Sequence, residues 1–244
     1  MPFSSAQYEA VTAKLSSGMQ DLSAKLNQVG PTAESTANQW YVPNPVADAL
    51  LWVSHKLVEL GSWVLNKIKE LLEGVGAPVA MFSYAMDWQS HVRGPASSVA
   101  GETAPEALVA PKHWSGDAAT KYTASVKGQP TAATQIETSA DKIATGLNIC
   151  AAAGLAFYVA LAVILAKYIA TTVSAIAALG SVVFSWAGAA AIVGDTSVNA
   201  GLIWAAVAAL VALLGVQAQQ MTTIKGESVD NSTFPGGHWP DALA

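Results

Sequence analysis

The near absence of charge from the C-terminal part of the chain is the feature that most limits its fold. Lys167 is the one charged residue between Lys142 and Asp195. A helix on the surface of a soluble protein carries polar and charged side chains on its outer face, and this segment has almost none. A membrane-spanning helix needs about 20 mainly apolar residues, and residues 169–193 and 198–216 both approach that length. We therefore predict an apolar helical hairpin here.

The turn of this hairpin is predicted at the polar stretch 194–199, whose sequence is GDTSVN. Asp195 and Asn199 are of residue types that favour turns, so they mark the expected hairpin tip. Lys167 is a candidate for the membrane interface, because a long side chain can extend its ammonium group into water. Residues 149–166 are long enough to suggest a third span. No Gly or Pro lies near Lys167 to turn the chain, so we expect them to continue the preceding helix.

Composition indicates a helical protein with little charge. Hydrophobic residues make up 52% of the chain and charged residues 12%, whereas an average soluble domain has about 25% charged residues. The net charge of −5 argues against nucleic acid as a partner, because phosphate binding needs a basic face. Alternating strand patterns are almost absent. The predicted fold class is all-α: an elongated helical bundle followed by the apolar hairpin.

Apolar residues recur every three or four positions in two N-terminal segments, which is the spacing of one helix face. The first stripe comprises Tyr8, Val11, Leu15, Met19, Leu22, Leu26 and Val29, and the second comprises Val46, Leu50, Val53, Leu57, Leu60, Val64, Ile68 and Leu71. Gly and Pro residues supply the predicted breaks, at Gly30-Pro31, in a loop at 94–112 and at Pro130. The predicted segments are an N-terminal amphipathic helix at 1–30, a linker at 31–45, a helical hairpin at 46–148, the apolar hairpin region at 149–220 and a polar flexible tail at 221–244.

A corner motif, HWSGDAATKY, occupies residues 113–122. Gly116 tolerates backbone angles that other residues resist, and Ser115 can cap the helix that follows. The large apolar ring of Trp114 is suited to close the open end of a two-helix hairpin. Tyr122 follows at helical spacing. The motif therefore predicts a corner between two helices.

This motif resembles that of the WXG (ESAT-like) family, small helical-hairpin proteins exported by type VII (ESX) secretion, mainly in actinobacteria and related Gram-positive bacteria. The resemblance covers residues 46–148, and its specific part is Trp114 and Gly116 followed by Tyr122. It implies a secreted or envelope-associated bacterial protein, with the secretion machinery and a helical partner or second copy as its partners. The chain departs from the family in its long loop before Trp114 and in its added N-terminal helix and apolar C-terminal region. The family's export signal, a Tyr followed four places later by Asp or Glu, is absent. Export would then depend on a partner that carries the signal.

Four tryptophans are expected to serve packing. Trp186 and Trp204 lie nine residues before and after Asp195, which is roughly 13 Å along a helix. That depth is nearer the middle of a membrane than its edge, so we expect both rings to pack between the two hairpin helices. Trp52 and Trp63, eleven residues apart, are expected to border the buried stripe of their helix.

No arrangement of residues in the sequence predicts catalysis. The four histidines are far apart and lack metal-ligand spacing, and no nucleophile, phosphate-loop or dinucleotide motif is present. We therefore expect no catalytic residue, cofactor or metal. The N-terminal sequence also lacks the pattern of a signal peptide, so we expect any export to use a route that does not depend on one.

The leading hypothesis is a non-enzymatic type VII secretion substrate whose apolar hairpin inserts into a membrane or forms a pore in it. Two alternatives stay open. One is a constitutive membrane protein that presents its bundle as a binding platform. The other is a soluble structural or partner-binding bundle with all its apolar helices inside.

Overall fold

The computed structural model of the chain describes residues 3–181 and 186–241, and it describes 186–193 and 195–200 as helical backbone alone. The described residues form helices and no strand, which confirms the all-α class. The α-helices are α1 Ser5–Ala37, α2 Asn44–Leu72, α3 Ala77–Asp87, α4 Gly94–Glu102, α5 Ala110–His113, α6 Asp117–Val126, α7 Gly128–Leu179 and α8 Trp186–Glu227. A π-helical stretch, Trp88–Arg93, joins α3 to α4, and a short 3-10 helix covers Pro235–Gly237.

The chain forms two compact units. The first, which we call the core unit, comprises residues 3–77 and 153–211. The second, the corner unit, comprises 78–152 and 212–241 and contains the Trp114 motif. Helices α7 and α8 each contribute residues to both units.

The two predicted apolar stripes form the centre of the core unit. Helices α1 and α2 are antiparallel neighbours, and most stripe positions are buried while the others are partly buried. The buried positions are Tyr8, Leu15, Leu22, Leu26 and Val29 on α1 and Leu50, Val53, Leu57, Val64 and Ile68 on α2. Helical periodicity therefore correctly located the buried faces of both helices.

Helix α7 packs against this pair and runs parallel to α1. Leu165 of α7 lies opposite Gly18 near the middle of α1, and Gly180 at the end of α7 lies beside Thr32. The Tyr158 hydroxyl of α7 donates a hydrogen bond to the Leu71 carbonyl oxygen at 3.0 Å. The C-terminal ends of α1 and α7 therefore lie at the same end of the core unit.

Helix α1 continues past its predicted end at residue 30, and the linker expected at 31–45 is reduced to residues 38–43. Pro31 lies on the exposed side of the helix, where water can reach the carbonyl that its missing N–H leaves free. The Thr32 hydroxyl donates to the Gln28 carbonyl oxygen at 2.7 Å. Ala33, one turn beyond Val29, is fully buried in the same apolar cluster. Packing on this face offsets the cost of an internal proline.

Helix α7 is unbroken from Gly128 to Leu179, so residues 149–166 continue the preceding helix as expected. The break between the two apolar helices lies at a different position from the predicted one. Helix α7 ends at Leu179 and α8 begins at Trp186, so the predicted span 169–193 is not one helix.

The predicted turn at 194–199 is also wrong, because the backbone there is part of α8. The side chains of Asp195 and Asn199, the predicted tip residues, lie outside the described residues. Turn-forming residues other than proline cost only about 0.5 to 1 kcal/mol each inside a helix. The alanine-rich flanks can therefore keep this stretch helical.

The corner unit departs from prediction in its first half and at its tail. Helix α4 occupies the first part of the loop expected at 94–112, because Pro95 stands in its first turn, where a proline is tolerated. The interruption expected near Pro130 does occur, between α6 and α7 at Lys127. Helix α8 extends to Glu227, into the segment predicted to be a flexible tail.

Candidate membrane-contacting surface

The C-terminal part of α8 is an apolar helix with little cover. No charged residue occurs between Asp195 and Lys225. In the most apolar 18 residues of Gly201–Glu227, 11% of the positions are buried. The large exposed apolar side chains of this stretch are Leu202, Trp204, Val211, Leu213, Leu214, Val216 and Met221. Length and composition would allow this helix to cross a membrane.

The outermost face of the same helix is made of small residues. Gly201, Ala205, Ala208, Ala212 and Gly215 recur at intervals of three or four and are all exposed. Small residues let another helix backbone approach closely, in lipid or in water. This exposed face of α8 is therefore apolar and carries no large side chain.

Helix α7 also has an exposed apolar stripe within the core unit. Its members recur every three or four residues and are Ala156, Val159, Val163, Ala166, Ala170, Val173 and Ala177. In the most apolar 18 residues of the helical stretch Asp117–Leu179, 50% of the positions are buried, and length and composition would allow this stretch to cross a membrane. The helix thus packs one face into the core unit and leaves an apolar face open.

Lys167, the predicted membrane-interface residue, is exposed next to Ala166 in the middle of this stripe. Twelve residues separate it from Leu179 at the end of α7, which is about 18 Å of helix. The hydrocarbon core of a bilayer is about 30 Å thick. The part of α7 beyond Lys167 is therefore too short to cross a bilayer by itself.

In the core unit α8 is held by an apolar face and one aromatic contact. Ile203 is fully buried in the core cluster, and Ala206, Val207 and Leu210 are partly buried against the same cluster. The Trp204 ring lies 6.5 Å from the ring of Trp63 on α2, and the Lys67 ammonium lies 4.7 Å from its centroid. Trp204 was expected to pack between the two hairpin helices. It packs on α2 instead, because that side of α8 faces α2.

The other expectations for tryptophans have mixed outcomes. Trp63 borders the buried stripe as predicted, since it is partly buried against the core. Trp52 is half-exposed. The side chain of Trp186 lies outside the described residues.

In the corner unit α8 is held by a polar set of contacts. Gln217 is buried, and its Oε1 lies against Gly146 of α7, where an added Cβ would be 3.3 Å away. One end of the contact is an ion pair of 2.5 Å between Lys142 Nζ and Glu227 Oε1. Because the earlier residue of α7, Lys142, pairs with the later residue of α8, Glu227, the two helices run antiparallel here. At the start of α7, Gln129 Nε2 donates a hydrogen bond to the Pro240 carbonyl oxygen at 3.2 Å. The C-terminal tail therefore contacts the first turn of α7.

The structure brings the three predicted corner residues together. Gly116 has φ of +97° and directly precedes α6, a conformation that favours glycine. The Trp114 ring lies 6.1 Å from the Tyr122 ring, and Trp114 is half-exposed. The expected Ser115 cap is wrong, because Gly116 takes the cap position and no side chain caps the helix. Helix α5, before the motif, has four residues. The two-helix hairpin at 46–148 stays a prediction.

Sequence reasoning overlooked an aromatic loop in the core unit. The Val42 N–H donates to the Gln39 carbonyl oxygen at 3.0 Å and closes the loop between α1 and α2. Trp40 and Tyr41 are the two residues inside this turn, and Trp40 is 91% exposed. The signal in the sequence was an aromatic pair in a polar linker, where no helix stripe could bury it.

Titratable groups are sparse at these surfaces. Within the part of the chain that the structure describes, no three His, Cys, Asp or Glu side chains lie close enough to hold a metal ion. Burial and the neighbouring Tyr158 hydroxyl raise the pKa of Tyr8 well above its ordinary value. The Tyr8 hydroxyl donates to the Val75 carbonyl oxygen, so its role is to join the start of α1 to the segment after α2.

Comparison of the chain with protein-family models, with curated proteins and with solved structures found no match.

Proposed function

We propose that this protein is a non-enzymatic bacterial protein that associates with membranes through the apolar helices α7 and α8. The observation that carries the proposal is the low burial of α8, at 11% of its most apolar stretch. A core helix of a soluble protein also passes tests of length and composition, but it is mostly buried. Helix α8 has the composition of a core helix and the exposure of a surface helix.

The energetic argument is the gain from moving half-exposed apolar side chains into lipid. Full burial of a Val, Leu or Met side chain is worth about 1.5 to 3 kcal/mol. A side chain that is already half-covered therefore has about half of that left to gain. The seven large exposed side chains of α8 together offer several kcal/mol, and the open stripe of α7 adds to it. Opposing this gain are the contacts of Ile203 and the Lys142–Glu227 ion pair, which hold α8 in the folded protein.

The test is vesicle binding by the purified full-length protein, compared between two matched variants. Val211→Glu places a charge on the exposed face of α8, where the side chain is 61% exposed. Val109→Glu places the same charge between α4 and α5, at a side chain 66% exposed. Both changes lie at exposed positions, so both proteins should fold. A charge inside the hydrocarbon region costs about 2.5 to 3.5 kcal/mol, so Val211→Glu should weaken binding on the order of 100-fold and Val109→Glu should not.

The result also separates the alternatives. Release of an encapsulated dye would indicate insertion or pore formation, whereas carbonate-resistant membrane association straight after expression would indicate a constitutive anchor. A protein that stays in solution and does not bind vesicles would be a soluble bundle, and the membrane proposal would then be wrong.

We also propose export by type VII secretion, with the secretion machinery and a helical partner or second copy as binding partners. The support is the Trp114 corner, with Gly116 in a backbone conformation that favours glycine and Tyr122 beside the tryptophan. The experiment compares culture supernatants from bacteria with an intact and a disabled type VII secretion ATPase. We expect the protein in the supernatant only when the ATPase is intact. Equal amounts in both would refute export by this route.

A further inference from the structure

The aromatic loop of the core unit lies at the end of the unit where α1 and α7 both terminate. Val29, Ala33 and Ala37 on α1 pack in one cluster with Leu50 of α2 and Leu179 of α7. Helices α1 and α7 therefore end at the same end of the core unit, with Gly180 after α7 beside Thr32 of α1. We call this end, formed by residues 37–46 and 176–181, the tip.

The tip has no charge of its own. No charged residue occurs between Glu34 and Asp48, and none occurs between Lys167 and Asp195. The large apolar side chains exposed here are both aromatic. Trp40 is 91% exposed and Tyr41 about half-exposed, with their rings edge-on at 5.6 Å. An uncharged end that presents a tryptophan to solvent is the opposite of what solubility alone favours.

We propose that the tip docks the folded protein on the interfacial region of a phospholipid bilayer, with Trp40 and Tyr41 as its anchors. Trp and Tyr suit this region because each has a large apolar ring and one polar group that can stay hydrated. The inference rests on the proposed membrane function and adds the part of the molecule that makes first contact. The turn between Gln39 and Val42 holds both anchors at the apex of the loop.

Docking by the tip also explains the position of Lys167. Its backbone is about 18 Å from Leu179 along α7, so a tip seated among lipid headgroups leaves its ammonium group in water. The flanking charges at the tip are carboxylates, Glu34 and Asp48. Anionic lipid therefore brings no attraction, and the binding should depend little on salt.

The experiment measures partitioning of the full chain onto vesicles of phosphatidylcholine, with and without added phosphatidylglycerol, at low and high salt. The test variant is Trp40→Ala with Tyr41→Ala, and the matched control is Trp114→Ala with Tyr122→Ala, the Trp–Tyr pair of the corner unit. We expect the test variant to bind about 10-fold more weakly with its helix content unchanged. The control and a Lys167→Met variant should bind like the unaltered chain, and neither salt nor phosphatidylglycerol should change binding by more than about 2-fold.

Three results would overturn this inference. If the Trp40 and Tyr41 variant binds as tightly as the unaltered chain while Val211→Glu still weakens binding, the tip inference falls and the membrane function stands. Strong dependence on phosphatidylglycerol would replace aromatic docking with electrostatic attraction. A chain that binds no vesicle at all would remove both proposals.

Discussion

The close approach of α1 and α2 at Gly61 predicts how a single added methyl group would affect the stability of the core unit. A Cβ at Gly61 would lie 2.5 Å from Leu26 Cδ2 and 2.7 Å from Leu26 Cδ1. Leu26 is itself buried, so its side chain must shift within a packed core to make room for the added methyl group. Overpacking of a core costs about 1 to 3 kcal/mol, whereas alanine is about 1 kcal/mol better than glycine inside a helix. The net effect of Gly61→Ala should therefore be a destabilisation of up to about 2 kcal/mol.

The assay is thermal unfolding followed by circular dichroism. For a chain of this size, a loss of up to about 2 kcal/mol corresponds to a fall in Tm of up to about 8 °C. The matched control is Gly215→Ala on the open face of α8, where no atom lies within 4 Å of an added Cβ. That change should be neutral or raise the Tm. In a Leu26→Ala background, which empties the contested space, Gly61→Ala should no longer destabilise. A rise in Tm for Gly61→Ala in the unaltered chain would refute the close packing of α1 on α2.

Three further predictions concern the corner and the ends of the long helices. Gly116→Ala should destabilise the corner unit by about 1 kcal/mol, because φ of +97° disfavours a side chain, and thermal unfolding measures it; no loss would refute a left-handed corner. The raised pKa of Tyr8 means that the folded state keeps its proton while the unfolded chain loses it near pH 10, so stability should fall as pH rises above about 10. Denaturant unfolding across that range should show that the free energy of unfolding falls less steeply with pH in Tyr8→Phe than in the unaltered chain. An identical slope in both proteins would contradict the burial of the Tyr8 hydroxyl. Lys142→Glu should speed hydrogen exchange at the end of α8, with an effect of about 0.2 to 1 kcal/mol, because it replaces the ion pair with Glu227 by two like charges. Adding Glu227→Lys should restore protection, and a double variant no better than the single one would show that the pair does not hold the helix.

The outcome along α1 and α8 shows where local patterns stop being informative. Pro31 is a strong local break, yet α1 passes through it, because Ala33 and Ala37 gain buried contacts beyond it. The turn predicted around Asp195 failed for a related reason. Its residues disfavour a helix only slightly, and no proline enforced an end. A helix boundary thus depends on differences of about 1 to 3 kcal/mol, which the burial of one or two apolar side chains can offset.

The sequence by itself determined the all-α class, the buried faces of α1 and α2, the continuity of α7 through 149–166 and the charge-poor C-terminal part. Each of these follows from periodicity or composition. Both are averages over many residues, so a single atypical residue does not change the prediction. The tertiary structure alone decided that α8 is open to solvent, that Trp204 rests on α2 and that α7 runs parallel to α1 and ends at the same end of the core unit. Those facts depend on which faces meet across segments far apart in the chain, and no local pattern encodes that choice.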